Sequence, residues 1–265
     1  MSATENGTAA ARVTFLGTGT SHGVPMIGCS CATCHSSDPH DRRLRPSIAI
    51  QVKGGPSILV DTSTDLRSQL LAAGIAAIDA VVWTHDHADH CHGIDDLRPM
   101  RFGRGGAIPG FASEFTVRRL KQRFSYVFAG QYGYPTIVDL QPLGTVKIAA
   151  GFGIGSCEMP HGPISTTGFR FDADDKSIGY ATDFNDISKE MLELFDGVDI
   201  LVTDCLRRES HPTHASLEMA LDFGRRTNAG LTVLTHLDKS MDYATLSAET
   251  PDSVLVGYDG MEIVL

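Results

Sequence analysis

The sequence predicts an α/β fold in which two sheets pack face to face and helices cover their outer faces, a four-layered αββα sandwich. Short runs rich in β-branched and aromatic residues recur along the 265-residue chain, and amphipathic stretches with helical periodicity lie between them. The early part is mainly strands, whereas the later part alternates strand and helix, an order that two helix-covered sheets accommodate. Other α/β layouts share this order. The pattern shows no internal repeat, so we expect one domain over residues 12–265 after a disordered tail of residues 1–11.

The predicted strands and helices follow from these two periodicities. The strands cover residues 12–16, 47–52, 57–60, 80–84, 146–150, 167–171, 177–181, 200–203, 231–235 and 254–256. The helices cover residues 64–73, 113–123, 188–195 and 215–226. Residues 100–135 are rich in glycine and aromatic side chains, and we expect them to leave the sheet as a lid that contains one helix.

Composition narrows the class of partner. The formal net charge is −10, which disfavours a polyanion such as tRNA and favours a small-molecule substrate. The sequence holds no apolar run of about 18 residues, so we expect no contact with a membrane. The first ten residues have no basic and no apolar leader region, which predicts a cytoplasmic protein. An acidic enzyme of this size is often a dimer, so a homodimer is a further expectation.

A dense group of potential metal ligands follows the apolar run 80–84. The next six residues contain His85, His87, Asp89 and His90. Imidazole nitrogen and carboxylate oxygen are the ligands of zinc-type ions. His85 and His87 can point the same way from an extended turn, while Asp89 and His90 can turn towards a second ion roughly 3.5–4 Å away. The segment therefore predicts a two-metal site, and a solvated charged loop is the alternative.

Three later residues occupy a similar position, each at the mouth of an apolar strand. They are His161, Asp183 and His236. Side chains at strand ends can converge while the core holds them rigid. Each residue alone could instead be a hydrogen-bonded core histidine or a helix-capping aspartate. Their order after residues 85–90 groups them with the predicted site.

This arrangement of histidines and aspartates resembles the metallo-β-lactamase superfamily. The resemblance spans most of the chain and implies a hydrolase with two divalent metal ions, zinc or manganese. The ligands that it implies are His85, His87 and His161 for the first ion, Asp89, His90 and His236 for the second, and Asp183 for both.

The opening segment 15–34 and the closing segment 258–263 resemble one branch of that superfamily, the phosphoribosyl cyclic phosphodiesterases of the carbon–phosphorus lyase pathway. This resemblance implies hydrolysis of a small or cyclic phosphodiester by water activated at the two ions. It assigns catalytic roles to Asp89, which would orient the water, and to His214. From the pattern alone, His214 could equally be a residue at a helix start, beside Thr213 as the N-cap.

Three rival functions remain open from the sequence. The first is a tRNA 3′-processing endonuclease, which shares the metal set but is disfavoured by the acidic charge and by the absence of an obvious basic arm. The second is hydrolysis of a lactone or thioester on the same metals, because the fold hosts several chemistries. The third is a non-catalytic metal-stabilised module, although a structural zinc needs only four ligands.

Cys29, Cys31 and Cys34 form a second cluster of potential ligands. The same resemblance implies a third, structural zinc ion here, with a histidine as fourth ligand. This chain has Lys239 at that position, and a protonated lysine is a poor zinc ligand. Asp238 or His35 could replace the histidine, and three free thiols are the alternative.

Three arginines in the segment 41–46 stand out in an acidic protein. They are Arg42, Arg43 and Arg45. Arginine side chains suit phosphate oxygens, which suggests a role in binding the substrate, whereas the usual meaning of such a run is a solvated loop or local ion pairs. His22 and His211 are spare histidines near the relevant loops, to which the sequence assigns no role.

Overall fold

The computed structural model describes residues 11–131, 133–144, 147–149 and 152–265. In chain order the strands are β1 (Ala11–Gly17), β2 (Ser47–Val52), β3 (Ser57–Val60), β4 (Ala80–Val82), β5 (Ile108–Ala112), β6 (Val138–Pro142), β7 (Lys147–Ala149), β8 (Phe152–His161), β9 (Ile164–Ala173), β10 (Lys176–Ala181), β11 (Ile200–Asp204), β12 (Leu231–Thr235), β13 (Val254–Val256) and β14 (Glu262–Val264). They pair into two seven-stranded sheets.

The two sheets have the same mixed design. The first has the order β14-β1-β2-β3-β4-β5-β6, antiparallel from β14 to β3 and parallel from β3 to β6. The second has the order β13-β12-β11-β10-β9-β8-β7, antiparallel from β7 to β10 and parallel from β10 to β13. Parallel strands therefore end together in each sheet, which gathers residues from distant parts of the chain at one edge.

Helices cover the outer faces of both sheets. They are α1 (Leu66–Ala72), α2 (Ala88–Cys91), α3 (Arg98–Arg104), α4 (Glu114–Arg123), α5 (Ser125–Ala129), α6 (Lys189–Phe195), α7 (Leu217–Arg226) and α8 (Tyr243–Glu249). α1, α4 and α5 contact the first sheet, whereas α6, α7 and α8 contact the second. Among the described residues, no helix combines the length and the apolar content needed to span a membrane.

The apolar core between the sheets consists of alternate residues on the facing strands. Phe15, Ile48 and Ile50 of the first sheet are fully buried and share one cluster with Phe169 and Phe171 of the second. Side chains on a strand alternate between its two faces. Burial of each such side chain contributes about 1.5–3 kcal/mol, so this core can hold the strand ends in fixed positions.

The predicted four-layered α/β fold is confirmed. The lid predicted for residues 100–135 is wrong, because this segment contains β5, an interior strand of the first sheet, together with α4 and α5. Pro109 and Gly110 are rare inside strands, so the residue pattern of β5 does not indicate a strand. Packing explains the glycine in this strand, because a Cβ atom on Gly110 would lie 2.5 Å from Val138 Cγ1 and 2.9 Å from the indole of Trp83.

Two other predicted segments lie partly outside the described residues. Residues 146 and 150 of the predicted strand 146–150 lie outside the described residues, and residues 147–149 form β7. Of the predicted tail, residues 1–10 lie outside the described residues, and Ala11 begins β1.

Candidate metal centre

The candidate site lies where strands of both sheets end. Asp61 follows β3, His161 ends β8, Asp183 follows β10 by one residue, and His236 follows β12. Three of these residues, Asp61, Asp183 and His236, have φ values of 61°, 63° and 61°, in the left-handed region that residues other than glycine rarely occupy. Such backbone conformations cost of order 1–3 kcal/mol each and cluster at functional sites.

Asp183 lies at the centre and faces one group of histidines with each oxygen. Its Oδ1 is 3.9 Å from His85 Nε2 and 3.8 Å from His161 Nε2. Its Oδ2 is 3.2 Å from His90 Nε2 and 3.6 Å from His236 Nε2. One carboxylate thus stands between two sets of nitrogen atoms, as a bridging ligand of two metal ions would.

Each set is completed by a residue from the segment 85–90. His87 joins His85, His161 and Asp183 in one group whose ligand atoms lie within 4.8 Å of one another. Asp89 joins His90 and His236 in the other: its Oδ2 is 3.4 Å from His90 Nε2 and 3.5 Å from His236 Nε2. The structure therefore brings all seven predicted ligands together in the predicted division.

The donor atoms fit two divalent cations. The Nε2 atoms of His85, His90 and His236 and the Oδ2 atom of Asp183 are buried without a hydrogen-bond partner among the described residues. A buried polar atom without a partner costs about 1–3 kcal/mol. Imidazole nitrogen and carboxylate oxygen are the usual ligands of zinc-type ions, so bound cations would satisfy these atoms.

The opposite edges of the imidazole rings are held by hydrogen bonds. His90 Nδ1 donates to Asp61 Oδ2 at 2.7 Å, and the Thr84 hydroxyl donates to the same oxygen at 2.8 Å. His85 Nδ1 lies 3.0 Å from Thr84 Oγ1, and His161 Nδ1 donates to the carbonyl oxygen of Thr213 at 2.6 Å. These bonds fix each ring so that Nε2 faces the centre, which is the usual role of such partners around a metal ion.

The charges of the centre suit a cation. Burial lowers the pKa of His85 well below the usual range of histidine, and it also lowers the pKa of His161. Burial favours a raised pKa for Asp183, but the neighbouring charges of His236 and His90 outweigh it and the pKa falls well below its ordinary value. The states of His85, His161 and Asp183 are those that metal ligands require. Burial lowers the pKa of His90 and of His236, but Asp183 and the neighbouring carboxylates outweigh it and raise both, so these two rings hold protons that bound cations would displace.

His214 lies beside this centre. Its Nδ1 donates to Asp204 Oδ2 at 3.0 Å, and its ring stacks on that of His236 with the centroids 4.8 Å apart. The helix-start alternative is wrong, because α7 begins at Leu217 and its N-cap is Ser216, whose hydroxyl accepts from the Met219 N–H. Asp204 therefore holds the ring by one nitrogen and leaves Nε2 for another partner.

A cavity of about 450 Å³ opens at His214. Its wall includes His22 and His211, the two histidines to which the sequence assigned no role, together with Arg207 and Lys239. The cavity is within the usual range for small-molecule sites. It places two cationic side chains near the candidate centre.

Sequence reasoning missed two residues of the site, Asp61 and Asp204. Asp61 directly follows β3 and Asp204 ends β11, so both carry the signal that identified His236, a polar residue where a buried strand ends. Asp86, in the middle of the ligand segment, lies apart from the centre. Its carboxylate pairs with Arg119 at 3.1 Å and Arg123 at 3.0 Å.

The three clustered cysteines lie on the loop after β1, with their sulfur atoms within 4.8 Å of one another. Neither proposed replacement for the missing histidine joins them: Asp238 Oδ1 accepts from the Ser240 N–H and hydroxyl, and His35 Nδ1 contacts the Cys31 carbonyl oxygen. Lys239 Nζ lies 3.3 Å from Cys29 Sγ.

The arginines of the segment 41–46 stabilise this loop. Arg43 is buried and donates to the carbonyl oxygens of Asp238 at 3.2 Å and Met241 at 2.6 Å. Arg45 pairs with Asp65 at 3.1 Å, and Arg42 donates to the carbonyl oxygen of Cys34 at 3.2 Å. The phosphate-binding hypothesis is therefore wrong for Arg43. Arg42 and Arg45 already donate hydrogen bonds to protein oxygens.

The family of the chain is shown by comparison with known proteins. The family described as beta-lactamase superfamily domain matches residues 57–237. The chain therefore belongs to the metallo-β-lactamase superfamily. All seven candidate metal ligands lie within the matched range.

Two solved structures resemble the chain over nearly its full length. One is a diphosphatase from the PhnP family, with 39% sequence identity, a TM-score of 0.87, and coverage of 96% of this chain and 97% of that one. The other is Zn²⁺-bound PqqB from Methylobacterium extorquens, with 20% identity, a TM-score of 0.80, and coverage of 96% and 100%. The second likeness concerns the fold alone.

Two curated relatives extend beyond the region that matches. An octanoyltransferase from Porphyromonas gingivalis is 34% identical over 264 residues, which covers 96% of this chain and 51% of that protein. A ribonuclease Z from a Bradyrhizobium species is 33% identical over 153 residues, which covers 52% of this chain and 47% of that protein. The chain thus spans about half the length of these relatives.

Proposed function

We propose that this protein hydrolyses a small phosphate ester whose phosphorus carries two bridging oxygens, a class that includes cyclic phosphodiesters and diphosphate diesters. The observation that carries the proposal is the position of His214, which is held by Asp204 at 3.0 Å and lies beside Asp183, with Nδ1 3.7 Å from Asp183 Oδ1. The similarity to a PhnP-family diphosphatase supports the same class of substrate.

The reaction needs a nucleophile, charge neutralisation and a proton for the leaving oxygen. The seven ligands would hold two divalent ions, which would supply an activated water molecule and charge neutralisation at the non-bridging phosphate oxygens. The chain itself supplies the proton: with Nδ1 bound to Asp204, the Nε2 atom of His214 is free to donate to the leaving alkoxide or phosphate. The Asp204 carboxylate holds the ring by Nδ1 and so orients Nε2 for this role.

Asp89 orients the attacking water. Its Oδ2 faces His90 and His236, at 3.4 Å and 3.5 Å from their Nε2 atoms. The second carboxylate oxygen is left to accept a hydrogen bond from the water and so to direct its lone pair at phosphorus. This position gives Asp89 both a binding and a catalytic role.

The substrate is a small molecule by size and by charge. The cavity beside His214, about 450 Å³, suits a nucleotide-sized ligand. Its wall carries two cationic side chains, Arg207 and Lys239, and one carboxylate, Asp238, a balance that favours an anion. The net charge of −10 opposes the approach of a long polyanion, so nucleic acid is not the expected partner.

Hydrolysis of a panel of substrates by the metal-replete protein tests the proposal. The panel contains bis(p-nitrophenyl) phosphate, a dinucleoside diphosphate, p-nitrophenyl phosphate, a lactone, a thioester and a precursor tRNA. We expect turnover of the first two, its loss on chelation, and its return when zinc or manganese is added. Cleavage confined to the lactone or thioester, or to the tRNA, would replace the proposal with the corresponding rival function.

A further inference from the structure

Lys239 stands where the cysteine cluster would need its fourth metal ligand. The sulfur atoms of Cys29, Cys31 and Cys34 lie within 4.8 Å of one another, and Lys239 Nζ is 3.3 Å from Cys29 Sγ. A structural zinc ion is tetrahedral and needs four ligands. Within the described residues, no histidine, carboxylate or further cysteine joins the three thiols as a fourth ligand.

The lysine also opposes a metal ion by its charge. A protonated amine has three hydrogen-bond donors and no lone pair, so it cannot coordinate zinc. An ammonium group in contact with a cluster sulfur would repel a divalent cation placed among the same sulfurs. The residues at this position therefore do not fit the structural zinc site that the family resemblance implies.

We propose that this cluster is instead a metal-free thiol site, in which Cys31 and Cys34 form a disulfide when a hydroperoxide oxidises them. The two cysteines have the C-x-x-C spacing of dithiol redox sites, and Cys34 lies in a helical turn, Thr33–His35. The Cys34 N–H donates to Cys31 Sγ at 3.5 Å, which points that sulfur back towards its partner residue. Cys29 contacts the Lys239 ammonium, and a neighbouring cation favours the thiolate, so Cys29 is the thiol that reacts with the peroxide first.

The oxidation proceeds in three balanced steps. Cys29 is partly exposed, and its sulfur attacks the O–O bond of the hydroperoxide, which gives a sulfenic acid and one molecule of water or alcohol. The Cys31 thiol attacks the sulfenic sulfur, its proton leaves with the hydroxyl group as water, and a bond between Cys29 and Cys31 forms. The buried Cys34 thiol then attacks the Cys31 sulfur and releases Cys29, which takes up the proton, so the final S–S bond joins Cys31 and Cys34. In sum, two thiols are oxidised by two electrons and the peroxide is reduced.

Metal counting on the full chain tests the first half of the proposal. Each protein is saturated with zinc, desalted and analysed by mass spectrometry of its metal content. We expect two ions per chain in the wild type and three in Lys239→His, which supplies the missing ligand. Lys239→His combined with Cys31→Ser is the control and should return to two. A third ion in the wild type that Cys31→Ser removes would overturn the proposal.

Thiol mapping tests the second half. The zinc-saturated proteins are treated with hydrogen peroxide, alkylated with iodoacetamide and digested for peptide mass spectrometry. In the wild type, Cys31 and Cys34 should escape alkylation as a linked pair and recover after dithiothreitol, and in Cys29→Ser the same pair should form more slowly. In Lys239→His, bound zinc should slow the loss of thiols at least about tenfold, because a coordinated thiolate is protected. Full alkylation of the wild type after peroxide, or a pair that includes Cys29, would overturn the proposal.

Discussion

The His/Asp centre and the cysteine cluster both collect metal-type ligands, but they differ in what surrounds the donor atoms. In the centre, the donors are largely buried, and the imidazole rings are held from behind, as Asp61 holds His90 at 2.7 Å. In the cluster, two of the three thiols are partly exposed and a cation, Lys239, already contacts one of them.

The charges that surround the donor atoms also differ between the two sites. At the centre, burial lowers the pKa of His90, but Asp183, Asp89 and Asp61 outweigh it and raise the pKa well above the usual range. The acidic groups there therefore attract positive charge. At the cluster, a bond from the backbone N–H of Cys31 and the contact with Lys239 are among the causes that lower the pKa of Cys29 to about 6. A metal site is therefore defined by oriented donor atoms and by an excess of negative charge around them. The number of ligand-type residues is a weaker criterion.

The largest effect is expected from Asp183→Asn. Loss of the carboxylate that faces both groups of histidines should abolish binding of both ions, and turnover of the diester should fall to that of the chelated protein. Asp174→Asn is a matched control, since it also changes an aspartate with positive φ, 53°, far from the site. Metal content and turnover are measured for both variants. Two ions retained in Asp183→Asn would contradict the bridging role.

His214→Ala should have the next largest effect and should separate binding from catalysis. We expect two ions per chain as in the wild type, with kcat lower by about 10²- to 10⁴-fold, because the proton donor is lost. Steady-state kinetics at saturating metal measure this change. His35→Ala, an exposed histidine on the cysteine loop, is the control and should keep the kcat of the wild type. A variant at position 214 that retained turnover would remove this residue from the mechanism.

Asp61→Asn tests whether orientation of the rings matters as much as the ligands themselves. The substitution weakens the bonds that hold His90 and Thr84. Loss of such a partner typically costs 10- to 100-fold in metal affinity or activity. Competition with a chromogenic chelator should show zinc affinity reduced by about that factor. Unchanged affinity would mean that the ligands alone determine the site.

Ser216→Ala should affect stability and leave the metal centre intact. The hydroxyl of Ser216 caps α7 by accepting from the Met219 N–H at 3.3 Å. Its loss should cost about 1 kcal/mol. In a chain of this size that corresponds to a fall in Tm of about 2–4 °C. Calorimetry measures the fall, and a simultaneous loss of metal would show that α7 and the centre are coupled.

The sequence was most informative where a side chain acts at the end of a buried strand. His85, His161 and His236 could be identified because an apolar run precedes each of them, and the fold class followed from the same runs. Asp61 has the same local pattern, but its function depends on a contact with His90, 29 residues later, which no local pattern reveals. Asp204 depends likewise on His214.

Other features could not be predicted because packing overrides local preference. β5 contains Pro109 and Gly110, which are poor strand formers, but it lies inside the sheet, where the absence of a side chain at Gly110 leaves room for the Trp83 indole. The position of Lys239 beside the cysteines, 210 positions from Cys29, was expected from the family resemblance, and no local pattern indicates it.

The left-handed backbone at Asp61, Asp183 and His236 has a consequence for how this protein can evolve. Each of these residues stores about 1–3 kcal/mol of conformational strain. Glycine adopts the same conformation freely. Replacement of Asp183 by glycine should therefore raise the thermal stability of the metal-free fold while it destroys the centre. Inactive descendants of this chain would have an accessible route to greater stability, so continued selection for activity is needed to keep these three side chains in place.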